Sequence, residues 1–240
     1  MFNYAIISVA AAALSGSALA GPVLNIQITV DGRQSATTQA GLGSVFNDYS
    51  YTGSVGDGFP VTSWIVGWDL VSNAAERSFV TNGLTIANLG SATKRYNIVL
   101  EISNALPTVS GTPTWPYFGN LGGTLTSNST SASTLSSLAM NPLWQGLRGG
   151  TSPGTNSELM RSFSMTSPGS MTSLIPSANI TPYTVVGGTG TSLGYQFQFD
   201  LSAQSTVSFG GIWGANVPAP GALAIAGISG LIIKRRRRLN

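Results

Sequence analysis

Apolar and polar residues alternate along this chain in short bursts. Leu24, Ile26, Ile28 and Val30 are interleaved with Asn25, Gln27 and Thr29, and Asp31-Gly32 closes the run. A period of two marks a strand with one face buried. Trp64, Val66, Trp68 and Leu70 form a second such set. Phe79 to Ile86 reads as two short strand pieces around Asn82-Gly83, a hairpin-type turn signal. Leu84 and Ile86 lead into a Gly90-Ser91 turn, and Tyr96, Ile98, Leu100 and Ile102 line one face of a return strand. That stretch predicts a further hairpin. Tyr195, Phe197, Phe199 and Leu201 alternate with Gln196, Gln198 and Asp200; a loop at Ser202–Ser205 then leads to Val207, Phe209 and Trp213.

Helical periodicity is nearly absent between residues 21 and 216. One short helix fits "SASTLSSLAMNPLWQGL". Residues 107–178 are rich in Pro, Gly, Ser and Thr, and ten of the 14 residues from Thr124 to Ser137 are Ser or Thr. This composition predicts long loops inserted into a single domain. The expected fold is all-β: an antiparallel β-sandwich, jelly-roll or Ig-like, over residues 21–216.

Both ends differ from this body. "MFNYAIISVAAAALSGSALA" is apolar from Ala5 to Leu14 and then turns small. Ala18-Leu19-Ala20 reads as a cleavage site, which makes residues 1–20 a signal peptide and Gly21 the first mature residue; the other reading is an uncleaved membrane helix. At the far end Ala222–Ile233 is an uncharged run of 12 residues. As a helix it spans about 18 Å, against about 30 Å of bilayer hydrocarbon. The cations Lys234, Arg235, Arg236, Arg237 and Arg238 follow, and such a cluster stays cytoplasmic, with the body on the other side.

The order of a proline motif (Val217, Pro218, Ala219, Pro220, Gly221), a short apolar helix and a terminal Arg cluster resembles a PEP-CTERM sorting signal. Ala219 stands where the namesake motif has Glu. The resemblance covers residues 217–240. It implies an exosortase-type membrane enzyme as partner, transient membrane contact through the tail, and delivery to the cell surface or an exopolysaccharide matrix. It implies nothing specific about the body.

Composition narrows the chemistry. The chain has neither Cys nor His, so disulfides, thiolate metal sites and the usual general base are excluded. Between residues 21 and 217 six cations face eight acids, so the basic balance belongs to the tail, and the body has no patch suited to nucleic acid. Gly190-Thr191-Ser192-Leu193-Gly194 matches the G-x-S-x-G pattern, but without His to take the serine proton it reads as a Gly/Thr-rich loop. The oxygen-rich "NDYSYTGSVGDG", with Asp48 and Asp57, is a calcium candidate that lacks EF-hand spacing. No cofactor and no metal site is expected.

Aromatics are the remaining candidates. Trp64 and Trp68 share a strand face and read as core. Trp115, Tyr117 and Phe118 lie in a Pro/Gly-flanked stretch that forms either a ligand-binding rim or a plug closing one end of the sandwich. The sequence therefore points to an exported structural or adhesive protein, with a carbohydrate-binding module using exposed aromatics as the alternative.

Overall fold

Four alternating sets become strands with their apolar members pointing inward: Leu24–Val30, Trp64–Leu70, Tyr96–Ile102 and Tyr195–Leu201. The computed structural model describes residues 22–43, 48–58, 62–73, 78–106, 115–184 and 190–216. The signal segment with Ala18, Ala20 and Gly21, and the tail from Val217 to Asn240, lie outside the described residues.

In chain order the strands are β1 (Val23–Val30), β2 (Arg33–Ala40), β3 (Leu42–Gly43), β4 (Asp48–Gly56), β5 (Trp64–Asn73), β6 (Ser78–Asn88), β7 (Lys94–Ile102) and β8 (Pro116–Ser127). They continue with β9 (Ser133–Ser137), β10 (Pro142–Arg148), β11 (Glu158–Arg161), β12 (Ser164–Ser167), β13 (Thr172–Thr184), β14 (Leu193–Leu201) and β15 (Ser205–Ala215). One 3₁₀ turn, Thr155–Ser157, precedes β11. Every strand pairing among the described residues is antiparallel.

The strands form two sheets that pack as a β-sandwich. The first has the order β11-β10-β14-β7-β1-β2, with β9 beside the far end of β14 and β12 beside β9. The second runs β13-β8-β15-β6-β5-β4-β3. Their inner faces share one aromatic-rich core. Trp213 is fully buried, stacked on Tyr117 with ring centroids 5.1 Å apart and edge-on to Trp144 at 5.6 Å. Phe197 of the first sheet stacks on Phe209 of the second at 4.7 Å. Trp64 and Trp68 are buried between the sheets, as their shared face predicts.

Several local expectations are corrected. Residues 107–178 are not mainly loop: β8 to β12 and half of β13 fall there. In β8 the inward residues Tyr117, Leu121 and Leu125 are separated by Gly and Thr, so the alternation is thin, yet it suffices because Trp213 and Phe209 fill the space above it. The helix expected in "SASTLSSLAMNPLWQGL" is instead β9, a turn and β10.

Asn82-Gly83 is not a turn either. β6 runs straight through it, and the register slips there against both β5 and β15. An extra residue at a strand glycine makes a bulge. Gly90-Ser91 does connect two strands, but β6 and β7 belong to opposite sheets, so the link is an arch over the core. Buried Asn88 holds this arch: its side-chain amide donates to the carbonyls of Ala92 (2.9 Å), Leu201 (3.0 Å) and Ser202 (2.9 Å). The expected Asp31-Gly32 turn is present, with φ of 50° and 80°. Two successive positive φ values are the signature of a two-residue hairpin turn, which Asp tolerates and Gly favours.

Candidate functional site

One end of the sandwich gathers three features singled out in the sequence: the Trp115 cluster, the Gly190–Gly194 run and the point where the chain leaves the fold toward its tail. β8 starts there, and β10 and β15 end there. Along β10 the inward positions are Trp144, Gly146 and Arg148, each opposite an inward residue of β14. Glycine is required at 146 because a Cβ there would stand 2.6 Å from the Trp213 ring.

Arg148 takes the third inward position and is only 5% exposed. Its guanidinium carbon lies 4.7 Å from the centre of the Trp115 ring, within cation–π range. Nε donates to the carbonyl of Gly190 at 3.1 Å, while Nη1 is buried with no hydrogen-bond partner. Among the described residues no carboxylate pairs with it. Burial pushes the Tyr117 hydroxyl above its ordinary pKa, and the positive charge of Arg148 counters part of that shift. The Arg148 guanidinium is therefore a buried cation supported by the face of Trp115 and the Gly190 carbonyl. It supplies hydrogen-bond donors only.

Trp115 and Tyr117 are core residues, so neither offers a ring face to a sugar. The ligand-rim alternative is corrected for both, and the plug alternative describes them. Burial follows from the β8 register, which sets Tyr117 opposite Ala215 and stacks it on Trp213. Phe118 points the other way. It is half-buried on the outer face of the second sheet, with its ring against Gly214, where any Cβ would collide with it.

Gly190, Thr191 and Ser192 form the approach to β14, and Leu193 and Gly194 are its first residues. A nucleophile elbow needs a strand, a sharp turn and a helix. Here the serine leads into a strand, and its hydroxyl donates to the carboxylate of Glu101. Glu101 and Arg148 were not singled out in the sequence. An Arg two residues beyond the inward Gly146 was the one available signal for the latter.

Four other acids serve turns and ladders. Asp48 belongs to β4 and accepts from the Asn73 amide at 2.6 Å. Asp57 accepts from the backbone N–H groups of Ser63 (2.7 Å) and Trp64 (3.2 Å) and from the Ser63 hydroxyl. The stretch weighed as a calcium candidate is a strand followed by an Asp57-capped segment, and no cluster of three metal-ligating side chains occurs among the described residues. Asp31 and Asp200 share an open depression with Arg95, which donates its backbone N–H to Asp31 at 2.9 Å and grips Asp200 with two side-chain bonds of 2.9 and 3.2 Å. The depression is open to solvent and carries an ion-pair ladder.

Among the described residues no helix is long and apolar enough to cross a membrane. No protein-family model matches the chain, and no curated protein is similar to it.

Proposed function

We propose that the chain is an exported bacterial protein of the cell surface or extracellular matrix, with a structural or adhesive role, whose tail is a PEP-CTERM-type sorting segment. The observation that carries this reading is where the ladder ends. β15 pairs to its last residue, with Ala215 opposite Tyr117, and the Asn216 N–H donates to the carbonyl of Pro116 at 2.8 Å. The proline motif begins at the next residue, Val217. A membrane enzyme cutting at Pro218–Gly221 would therefore remove no pairing of the described fold.

The body supports a non-catalytic role. Asp31, Asp48, Asp57, Glu101, Glu158 and Asp200 are each engaged in structural hydrogen bonds. Repeated passage of the chain between sheets, as at β6–β7, β7–β8, β8–β9 and β14–β15, favours the jelly-roll form of the sandwich over the Ig-like one.

Intact-mass measurement of the surface fraction tests the reading. The expected species runs from Gly21 to near Val217. A mass that retains Arg235–Arg238 refutes processing, and mature protein found only in the cytosol refutes export.

A further inference from the structure

Two open sheets have four edges, and unpaired edge strands invite pairing with another chain unless something blunts them. Three edges here are blunted. β3 is two residues long, and the β4 edge that continues past it contains Gly53 and Gly56 and already gives its Thr52 carbonyl to the Gln39 amide. β13 contains Pro176 and Pro182 and slips register twice against β8. β11 and β12 are four residues each, carry positive φ at Met160 (57°), and are separated by Ser162 (55°).

β2 has none of these devices. It is eight residues long, "RQSATTQA", without Pro or Gly, and it follows β1 through the whole hairpin with no register shift. Six of its residues are exposed and the other two are half-buried; of these, Gln39 reaches the second sheet, donating to the Thr52 carbonyl at 2.9 Å and accepting the Trp68 indole N–H at 3.0 Å. Its single charge, Arg33, sits at the turn end.

The hairpin fixes which backbone groups are free. Val30 and Arg33 flank a two-residue turn, so they form a hydrogen-bonded pair, and bonded pairs then alternate along the ladder. The Gly41 N–H, which donates to Pro22, follows the same parity. Arg33, Ser35, Thr37 and Gln39 therefore bond to β1. Gln34, Ala36, Thr38 and Ala40 turn their N–H and C=O groups outward, and no strand pairs with them among the described residues.

We infer that β2 is a self-association edge, and that two copies join antiparallel through it into one continuous sheet. The two-fold register that uses all four outward residues places Thr37 opposite Thr37. Ala36 then faces Thr38, Gln34 faces Ala40, Ser35 faces Gln39 and Arg33 faces Gly41. Every facing pair is free of like charge. The two Arg33 residues end up roughly 27 Å apart at about 3.4 Å per residue, well beyond the Debye length of about 8 Å at physiological salt. A parallel pairing would set them side by side. Charge thus selects the antiparallel second copy. The contact adds about eight backbone hydrogen bonds, one per outward N–H. The contact is two-fold and uses the same strand of both copies, so assembly through it closes at two. This inference does not depend on tail processing.

The chain has no cysteine, which makes crosslinking clean. In the proposed register the Thr37 Cα atoms are a non-hydrogen-bonded pair about 4.5 Å apart, within disulfide range. Thr37→Cys under mild oxidation should give a disulfide-linked dimer, and Gln34→Cys should not. Thr38→Pro removes an outward N–H without touching the β1 ladder, so it should convert a sedimenting dimer to a monomer with an unchanged far-UV spectrum. Full-length and tail-processed chains are both run, so a failure of sorting does not affect the result. A wild-type monomer at every concentration overturns the inference, as do oligomers larger than two or equal crosslinking of the two cysteine variants. If Thr38→Pro unfolds the chain, the cysteine pair alone decides.

Discussion

Asn88 offers the sharpest test of how the two sheets are joined. It is fully buried at the end of β6, in the second sheet, yet two of the carbonyls it holds lie just past β14 and at its last residue, in the first sheet. Its amide gives two N–H groups to three carbonyls, and its own oxygen accepts the Gly90 N–H at 3.1 Å. In Asn88→Ala all four contacts go. The Gly90 N–H keeps the Ser63 carbonyl at 3.0 Å, and the carbonyls of Ala92 and Ser202 are partly exposed and regain water, for about 1 kcal/mol each. The Leu201 carbonyl contact is buried, so the lone pair that Asn88 used is left without access to water, for about 2 kcal/mol. The expected loss is about 4 kcal/mol, read by urea unfolding with tryptophan fluorescence, and it should not depend on pH.

Asn88→Asp separates hydrogen bonding from shape. The introduced carboxylate, once ionised, would face three carbonyl oxygens with nothing to donate, so folding should raise its pKa above the unfolded value of about 3.9. A raised folded pKa gives stability that is complete below the unfolded pKa and lost as pH rises through the folded one. The deficit of Asn88→Asp against wild type should therefore be small near about pH 3.5 and large at about pH 7. An Asn88→Ala loss under about 1 kcal/mol, or an Asn88→Asp deficit equal at both pH values, would refute the arch assignment.

Further outcomes follow from named contacts. Burial alone would raise the Asp57 carboxyl, but hydrogen bonds from Ser63 and Trp64 outweigh it and hold its pKa below the ordinary value. That stabilisation is present above about pH 4 and lost as pH falls through the folded pKa, so Asp57→Asn should be destabilised at about pH 7 and converge on wild type in acid. Trp213→Ala should cost about 4 kcal/mol through the cavity it leaves, plus its indole bond to the Leu147 carbonyl. Gly146→Ala alone should cost about 1–3 kcal/mol by driving a methyl into that ring, and calorimetry of the double variant should show a smaller combined loss than the sum, because the clash partner is gone.

What could be read from the chain, and what could not, divides along physical lines. Leu24–Val30, Trp64–Leu70, Tyr96–Ile102 and Tyr195–Leu201 announce their strands and their inner faces, because period-two alternation is a local consequence of the pleat. The Asp31-Gly32 hairpin is legible for a similar reason, since its two positive φ values are a property of two adjacent residues. The tail pattern and the absence of His and Cys are also local facts, and they bound the chemistry before any contact is known.

Partnership is not legible. Leu84–Ile86 and Tyr96–Ile102 look the same whether they share a hairpin or face each other across the core, and Asn88 with its distant carbonyls settles which. In the sequence Tyr117 reads as either rim or plug because Pro and Gly surround it, and β15, nearly a hundred residues later, buries it. Arg148 gains its place only when β10 meets β14 and Trp115 arrives from another strand. The free edge of β2 likewise exists only relative to the other three. Alternation specifies the face a residue turns to, but strand pairing energy is nearly indifferent to sequence separation, so only tertiary packing decides what each face meets.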